Sequence, residues 1–245
     1  MRWIAILLCL GCTAKDESDG SEPDEHCSTD AATADCLRPT QDPDFYVEQA
    51  HLYFNTMDTA EDRTIHPNYS ELVARWEWPP WLYLTAFGYD NIMSTDTLLR
   101  AYPSTIPERE CLFFDTQPFA RCRVIFYYED PEHEGRGCPI YEEFVFNDDG
   151  DMTFIEAWSD LPGHLPMEDD DRWAEGDNVT RLSTRVPGLG TATGRIDLDS
   201  NHMTQAASDD PDVANFVHRA NNWLETWTEA YTDAGDDLWE RGCGW

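Results

Sequence analysis

The pattern of apolar and polar positions divides the chain into a helical first part and a strand-rich second part. From Phe45 to Asp58 the apolar residues recur mostly at helical spacing, which predicts a first helix. A second, short helix is predicted over Tyr69 to Trp76, before Pro79-Pro80, which cannot continue a helix. A third helix is predicted over Ser94 to Tyr102, because a serine can cap its start and Pro103 ends it.

Downstream of these helices, the pattern changes to runs rich in valine, isoleucine, phenylalanine and tyrosine. Strands are predicted over Cys122 to Tyr128, Ile140 to Phe146 and Met152 to Trp158. The last two strands flank Asn147-Asp148-Asp149-Gly150, which is typical of a hairpin turn. A long amphipathic helix is predicted from Pro211 to Tyr231. The predicted fold class is therefore α+β, with N-terminal helices, an antiparallel sheet and a long C-terminal helix.

The N-terminus has the layout of a secretory signal. One positive charge at Arg2 precedes the apolar run Trp3 to Leu10, and Gly11-Cys12 follows directly. The run is too short for a membrane span, which needs about 20 apolar residues. Residues 12–44 are rich in acidic and small residues and predict a disordered spacer, followed by a single domain over 45–245.

The stretch Leu8-Cys9-Leu10-Gly11-Cys12 resembles the lipobox of bacterial lipoproteins, with Cys9 where the family prefers leucine. The resemblance implies that residues 1–11 are removed and that Cys12 is acylated at the mature N-terminus. More than one acyl chain gives stable anchoring, so the expected location is a membrane surface of the bacterial envelope. Thr13 is not the aspartate that retains some lipoproteins in the inner membrane, and the resemblance therefore favours the outer membrane.

Charge and cysteine content narrow the range of partners and sites. The chain has 49 acidic and 16 basic residues and a net charge near −33, which disfavours nucleic acid as a partner. Six cysteines follow Cys12, an even number that predicts disulfides in an oxidising compartment. Their order leaves the pairing open, and the preferred pairs are Cys27 with Cys36, Cys111 with Cys122, and Cys138 with Cys243. Because none forms a Cys-x-x-Cys motif, no zinc or thiol redox site is predicted.

The strand pair that runs from Glu142 through the acidic glycine turn to Trp158 and Asp160 resembles the last strands of proteins with the nuclear-transport-factor-2-like fold. That superfamily includes SnoaL-like polyketide cyclases and ketosteroid isomerases, and the similarity covers residues 45–160. It implies a cone-like, curved antiparallel sheet whose covering helices enclose an apolar pocket. Asp160 matches an acid that the cyclases use at the end of such a strand. Since the family contains enzymes, binding proteins and inert scaffolds, the fold assigns no activity.

The predicted turn at Gly150 sets the register of the hairpin, with Asn147 opposite Asp151. Continued outward, this register pairs Phe144 with Phe154, Glu142 with Glu156 and Ile140 with Trp158 on one face. Two opposed carboxyl groups in apolar surroundings are expected to share a proton or a cation, as acid/base pairs do. Arg123 could instead neutralise the two carboxylates in a purely structural role. If the loop were one residue longer or shorter, Glu143 and not Glu142 would lie opposite Glu156.

Other candidate site residues lie in the loop and aromatic cluster that would flank the pocket mouth. His66 could act as a base, because an imidazole titrates near neutral pH, or it could be a hydrogen-bonded strut. The tryptophans of this region could stack on a planar ligand or fill the core. The candidate acids and bases are Glu142, Glu156, Asp160 and His66, and the candidate ligand contacts are Tyr69, Trp76, Trp81, Arg123, Phe144, Phe154 and Trp158.

The chain carries no glycine-rich phosphate loop, no Gly-x-Ser-x-Gly elbow and no HExxH motif, which disfavours nucleotide-binding, serine-hydrolase and zinc-protease functions. Asp197-x-Asp199-x-Asn201 has calcium-ligand spacing but lacks the adjacent glycine, so no metal or cofactor is predicted. The leading hypothesis is a non-enzymatic lipoprotein that binds a small apolar or aromatic ligand, or an envelope partner. The alternative is a cofactor-independent lyase, isomerase or hydrolase that uses pocket carboxylates and a histidine. A structural surface protein with a filled cone is the third hypothesis, and the sequence makes no prediction of oligomeric state.

Overall fold

A computed structural model describes residues 38–78, 85–100, 103–129, 135–168, 170–182, 198–226, 228 and 237–245. It contains an open, six-stranded mixed sheet with helices on both faces, which confirms the α+β class. The strands are β1 (Tyr69–Glu77), β2 (Ala86–Phe87), β3 (Ser104–Phe113), β4 (Ala120–Tyr128), β5 (Gly137–Phe146) and β6 (Met152–Ser159). The helices are α1 (Pro43–Tyr53), α2 (Tyr89–Leu99), α3 (Asn201–Asp209), α4 (Pro211–Asn221) and α5 (Asp237–Cys243).

The strand order across the sheet is β2-β1-β6-β5-β4-β3. Strands β3 to β6 form an antiparallel meander, as expected for consecutive strands joined by short turns. Strand β1, however, pairs parallel with β6. The sheet is therefore mixed, and the prediction of a purely antiparallel sheet is wrong at this pair.

Strand β1 replaces the short helix predicted over Tyr69 to Trp76. The misassignment has a physical cause, because β1 is buried on both faces from Val73 onward. A strand covered on both sides carries apolar residues at successive positions, and its sequence then lacks the alternation that marks a strand.

The other elements agree with the sequence to different degrees. Helix α1 is confirmed and is extended by a 3₁₀ turn, Phe54–Thr56, while α2 begins and ends earlier than the predicted third helix. The long C-terminal helix is wrong as a single element. Helix α4 ends at Asn221, and Asn222 leaves helical geometry with φ −124° and ψ 33°, before residues 223–226 are again helical.

Helix α1 packs on one face of the sheet, called the inner face below. A large apolar cluster fills this interface and includes Tyr46, Tyr53 and Phe54 from the helical side. Phe144 and Ile155 contribute from the central strands. Burial of large aromatic and aliphatic side chains is the main favourable contribution to such an interface.

The segment 161–182 and helices α3 and α4 cover the opposite face, called the outer face. Val213 and Phe216 of α4 pack with Trp76 and Phe154 of the sheet. A second cluster joins Trp158 to apolar side chains of the 161–182 segment. The sheet is thus buried on both sides, which explains why every residue of β6 is buried.

Two of the preferred disulfides are confirmed. Cys111–Cys122 links β3 to β4, and Cys138–Cys243 links β5 to the C-terminal helix α5. Cys27 and Cys36 lie outside the described residues, as do Cys12 and the predicted signal. Thr40, within the predicted spacer, already contacts the folded domain, since its backbone N–H donates to the Tyr46 hydroxyl at 2.9 Å.

No helix within the described parts of the chain combines the length and apolar character that crossing a membrane requires.

Candidate functional site

The β5–β6 hairpin determines which carboxylates meet. Its turn is as predicted, because Gly150 has φ +85° and the Asn147 backbone N–H donates to the Asp151 carbonyl at 2.9 Å. A bulge at Thr153 then shifts the register by one residue. Glu143, and not Glu142, therefore lies opposite Glu156.

The one-residue shift in register places Glu142 and Glu156, the predicted carboxylate pair, on different faces of the sheet. Side chains of successive strand residues point to opposite faces, so Glu142 lies on the inner face while Glu143 and Glu156 lie on the outer face. The predicted pairing of Glu142 with Glu156 is wrong, and the alternative with Glu143 holds. The same shift places Phe144 on the inner face and Phe154 on the outer face.

On the inner face, Glu142 is 1% exposed and lies between Cys122 and Ala157 of the neighbouring strands. Burial raises the pKa of Glu142 well above its ordinary value, and the nearby Glu77 carboxylate raises it further. Arg75 and the Tyr53 hydroxyl oppose that rise. The Glu142 Oε2 atom has no hydrogen-bond partner among the described residues. A raised pKa favours the protonated carboxyl group, which can donate a hydrogen bond.

A buried ion pair lies beside Glu142. The Arg75 guanidinium donates to Asp96 Oδ1 at 2.7 Å and to the Tyr53 hydroxyl at 2.9 Å. Thr56 Oγ1 donates to the second Asp96 oxygen at 2.6 Å. Both members of the pair are essentially unexposed, so the interaction is protected from solvent screening.

Tyr69 lies at the edge of the same group. It is half-buried as a residue, but its hydroxyl is buried and has no hydrogen-bond partner among the described residues. Burial raises the pKa of Tyr69 well above its ordinary value, and Asp96 and Glu142 add to that effect while Arg75 opposes it. Together these residues form the Glu142 cluster, which consists of Tyr53, Tyr69, Arg75, Glu77, Asp96 and Glu142.

His66 reaches this cluster only through aromatic neighbours. Its ring stacks on Tyr69 with centroids 5.6 Å apart, and its Nε2 atom lies 3.2 Å from the Tyr89 hydroxyl. Its Nδ1 atom lies 2.9 Å from the Pro67 carbonyl oxygen. Both ring nitrogens thus have partners other than the predicted acids, as in the strut interpretation.

On the outer face, Glu143 is held by two arginines. Arg121 contacts its Oε1 atom at 2.6 Å, and Arg181 contacts its Oε2 atom at 2.6 Å. Glu156 accepts hydrogen bonds at Oε1 from the Trp78 indole at 2.8 Å and from the Leu182 backbone N–H at 2.7 Å. Burial and the Glu143 charge raise the pKa of Glu156 to about 7, while those two donors and Arg181 act in the opposite direction.

Asp160 is occupied by a separate pair of arginines. Arg123 donates to its Oδ2 atom at 2.7 Å, and Arg172 donates to its Oδ1 atom. Arg123 therefore neutralises Asp160, and the prediction that it neutralises the glutamate pair is wrong. Arg121 and Arg181 have that role.

The predicted ligand contacts divide between the two faces as well. Phe144 lies on the inner face, with its ring 5.0 Å from that of Tyr53. Trp76, Phe154 and Trp158 are buried on the outer face, where they pack against the C-terminal segment. Trp81 lies outside the described residues. Among the described residues, the predicted site is therefore divided. Glu142, Tyr69 and Phe144 lie on the inner face with His66 at the edge, whereas Glu156, Trp76 and Phe154 lie together on the outer face and Arg123 pairs with Asp160.

Sequence reasoning missed Tyr53, Arg75, Glu77 and Asp96. Arg75 and Glu77 alternate with Ala74 and Trp76, and charged residues at every second position of an apolar run indicate a strand with one polar face. No sequence pattern marks Tyr53 and Asp96 as site residues, because they come close to Glu142 only when α1 and α2 pack on the sheet.

The described residues contain no group of three or more histidine, cysteine, aspartate or glutamate side chains arranged to hold a metal ion. What the Glu142 cluster offers chemically is a buried carboxyl group with a raised pKa and a buried phenol beside aromatic rings. No protein-family model and no curated protein matches the chain.

Proposed function

We propose that the protein is a lipid-anchored protein of the bacterial envelope that binds a small apolar or aromatic ligand at the Glu142 cluster. The polar end of the ligand accepts hydrogen bonds from Glu142 and Tyr69, and its apolar body lies against the half-buried rings of Tyr69 and Tyr89 at the edge of the cluster. The single observation that carries the proposal is the pair of buried polar atoms, Glu142 Oε2 and the Tyr69 hydroxyl, that lack partners among the described residues.

Leaving these two buried atoms without hydrogen bonds costs free energy. A buried polar group without a hydrogen bond destabilises a protein by about 1–3 kcal/mol. A ligand oxygen that accepts from Glu142 and Tyr69 recovers that free energy on binding. Folded proteins keep few such groups, and a bound species is one way to complete their hydrogen bonding.

The charges of the cluster favour a neutral ligand. Arg75 is already engaged by Asp96 at 2.7 Å and by Tyr53 at 2.9 Å, so it does not present an isolated cation. Glu77 and Asp96 repel an anion. His66 stacks on Tyr69 and lies beside Tyr89, and these half-buried rings supply apolar contacts.

The test is mass spectrometry of small molecules that co-purify with the mature domain, compared with a Glu142→Leu variant. Leucine is similar in size to glutamate but has no hydrogen-bond donor for the ligand oxygen, so the variant is expected to lose the ligand by at least tenfold. Glu156→Leu is the matched control, because it changes another buried strand glutamate on the opposite face and is expected to retain the ligand.

Circular dichroism and thermal unfolding establish that both variants are folded before they are compared. Equal loss of ligand from the two variants contradicts the assignment to the inner face. A wild-type domain that carries no ligand, and that binds none from an envelope lipid extract, contradicts the binding function itself.

The enzymatic alternative is favoured by one observation, the raised pKa of Glu142 beside the Tyr69 phenol. A neutral carboxyl group next to a buried hydroxyl is suited to stabilise charge that develops on a substrate oxygen. Incubation of the identified ligand with wild-type protein and with Glu142→Gln distinguishes the two functions. A product that forms only with wild type supports catalysis, and an unchanged ligand supports binding alone.

The anchoring part of the proposal is supported by the apolar run and the Gly11-Cys12 junction. A Cys12→Ser variant is expected to leave the membrane fraction, because the acyl chains have no attachment site. Separation of membrane and soluble fractions, followed by detection of the protein, measures this change. Retention of the variant in the membrane fraction contradicts lipid attachment.

A further inference from the structure

The Asp160 triad, defined as Arg123, Asp160 and Arg172, lies on the outer face and shares no residue with the Glu142 cluster. Asp160 is buried, and its two oxygens are bound separately, Oδ2 by Arg123 and Oδ1 by Arg172. The side chains of the two arginines are 29% and 40% exposed. Two positive charges and one negative charge leave the triad with a surplus of one positive charge that solvent can reach.

Each arginine uses only part of its guanidinium group on Asp160. Arg123 donates through Nε, which leaves its Nη1 and Nη2 groups, and these make no hydrogen bond to the residues that the structure describes. Arg172 donates through Nη1, which leaves its Nε and Nη2 groups. A guanidinium group presents paired N–H donors whose spacing matches two oxygens of a phosphate or carboxylate. The triad therefore keeps oxyanion-binding donors after Asp160 has been neutralised.

Tyr141 brings a further hydroxyl next to the triad. It lies directly opposite Arg123 on the adjacent strand, so both side chains are on the outer face. Burial raises the pKa of Tyr141, and the Asp160 charge adds to that rise while Arg172 and Arg123 oppose it. The Tyr141 hydroxyl is buried and has no hydrogen-bond partner of normal geometry within the described ranges. Donors thus predominate around the triad.

The neighbouring acids do not neutralise this surplus charge. Glu110 on β3 lies opposite Arg123 on β4, and Asp171 precedes Arg172 in the sequence. Both acids are exposed, and in the part of the chain that the structure describes neither forms an ion pair with the triad. Exposed charges of this kind interact weakly, because water solvates them and salt screens them.

The size of the anion that fits follows from the charge of the whole chain, which is near −33. At physiological ionic strength, charges more than about 8 Å apart are largely screened from each other. An ion in direct contact with the triad therefore experiences mainly the two guanidinium groups. An extended anionic surface is repelled by the remaining acidic residues.

We propose that the Asp160 triad is a binding site for a small oxyanion of the phosphate class, which accepts hydrogen bonds from the free guanidinium nitrogens of Arg123 and Arg172. The buried Asp160 carboxylate holds the two guanidinium groups beside each other, and both remain accessible to solvent. The site is on the opposite face of the sheet from the Glu142 cluster, so it does not depend on a ligand there.

The test is a titration of the mature protein with inorganic phosphate at pH 7, followed by nuclear magnetic resonance. The reporters are the Nε–H signals of Arg123 and Arg172. Both are expected to shift to a plateau with one common Kd, whereas the Nε–H signal of the exposed Arg136 is expected to stay in place. Arg123 and Arg172 signals that do not respond, or that shift without saturation together with Arg136, overturn the proposal.

Arg172→Gln removes one of the two guanidinium groups, and Arg123 still neutralises Asp160 in this variant. The Kd for phosphate is expected to rise by about tenfold or more, because charge-assisted hydrogen bonds are lost. Arg136→Gln is the matched control, since it removes an exposed arginine and changes the net charge equally. Its Kd is expected to stay within about twofold of wild type, and equal losses in the two variants overturn the site.

A second variant keeps the triad intact and covers the case in which Arg172→Gln does not fold. Glu110→Gln removes the carboxylate opposite Arg123 and is expected to lower the Kd for phosphate by about twofold or more. Glu48→Gln makes the same change of charge at an exposed position of α1, which packs on the inner face. An equal effect of the two substitutions contradicts a local site.

A phosphate group can come from a free ion or from a lipid headgroup, and a second titration distinguishes them. The probe is dihexanoylphosphatidylglycerol, a soluble lipid with an anionic phosphate diester. Saturable binding of inorganic phosphate that Arg172→Gln weakens identifies a free oxyanion as the ligand. Binding of the lipid alone, again weakened by Arg172→Gln, identifies a headgroup, and binding of neither probe overturns the proposal.

Discussion

The Asp96 carboxylate accepts hydrogen bonds from two different elements, Arg75 of β1 and Thr56 of the 3₁₀ turn after α1. Arg75 in turn donates to the hydroxyl of Tyr53, which lies beside Glu142. A change at Asp96 is therefore expected to affect both the stability of the inner face and the placement of the Glu142 cluster.

Asp96→Asn is expected to destabilise the protein by about 3–5 kcal/mol, because it leaves the buried Arg75 charge without its counter-ion. Urea unfolding at pH 7 measures the change. Asp115→Asn is the control, since Asp115 is exposed and its replacement is expected to cost less than about 0.5 kcal/mol. Equal effects of the two substitutions would show that the ion pair adds nothing to stability.

Among the elements, the β5–β6 hairpin has the largest influence on the site. Its turn contacts α1, because an added Cβ at Gly150 would lie 2.9 Å from the Phe45 ring. The bulge that follows at Thr153 then assigns Glu142 to the inner face opposite Ala157. A shift of one residue in this element exchanges the carboxylates of the two faces.

Gly150→Ala is expected to destabilise the domain by about 2–4 kcal/mol, the sum of left-handed backbone strain and overlap with Phe45. Gly163→Ala is the matched control, because Gly163 has nearly the same φ, +84°, and open space around its Cα. Its expected cost is about 1 kcal/mol from strain alone. Thermal and urea unfolding measure both, and equal losses would contradict the contact between the turn and α1.

Across the whole molecule, the Cys138–Cys243 disulfide joins residues 105 positions apart and fixes α5 to the sheet. Two hydrogen bonds support the same junction, from Trp245 Nε1 to the Gly137 carbonyl and from Ser159 Oγ to the Gly242 carbonyl. The Cys111–Cys122 disulfide, by contrast, closes a loop with a sequence separation of 11 within one strand pair.

Replacing both cysteines of the long-range disulfide by serine is expected to cost about 5 kcal/mol, against about 3 kcal/mol for the Cys111–Cys122 pair. The difference arises because the longer loop restricts the unfolded chain more. Urea unfolding of the two double variants under identical conditions measures both values. A larger loss from the shorter loop would contradict this account.

The sequence is sufficient for local features and insufficient where a strand lacks the usual alternation of apolar and polar positions. The hairpin turn at Gly150 and helix α1 are predicted correctly, because each depends on neighbouring residues. The even number of cysteines predicts disulfides, and two of the preferred pairs are confirmed, although the order of the cysteines does not determine the pairing. The sequence of strand β1 predicts a helix, since burial on both faces removes the alternation of apolar and polar positions. Strand β3 was missed because its exposed stretch around Glu108 and Glu110 reads as a polar loop.

By itself, the sequence determined the α+β class, the acidic charge of the molecule and the residues that can carry acid/base or donor chemistry. Only the tertiary structure decided which of those residues meet. The bulge moves Glu156 away from Glu142, and helix packing brings Tyr53 and Asp96 to Glu142 from distant positions. Side-chain identity is local information, whereas register and helix packing depend on long-range contacts that no short stretch of sequence contains.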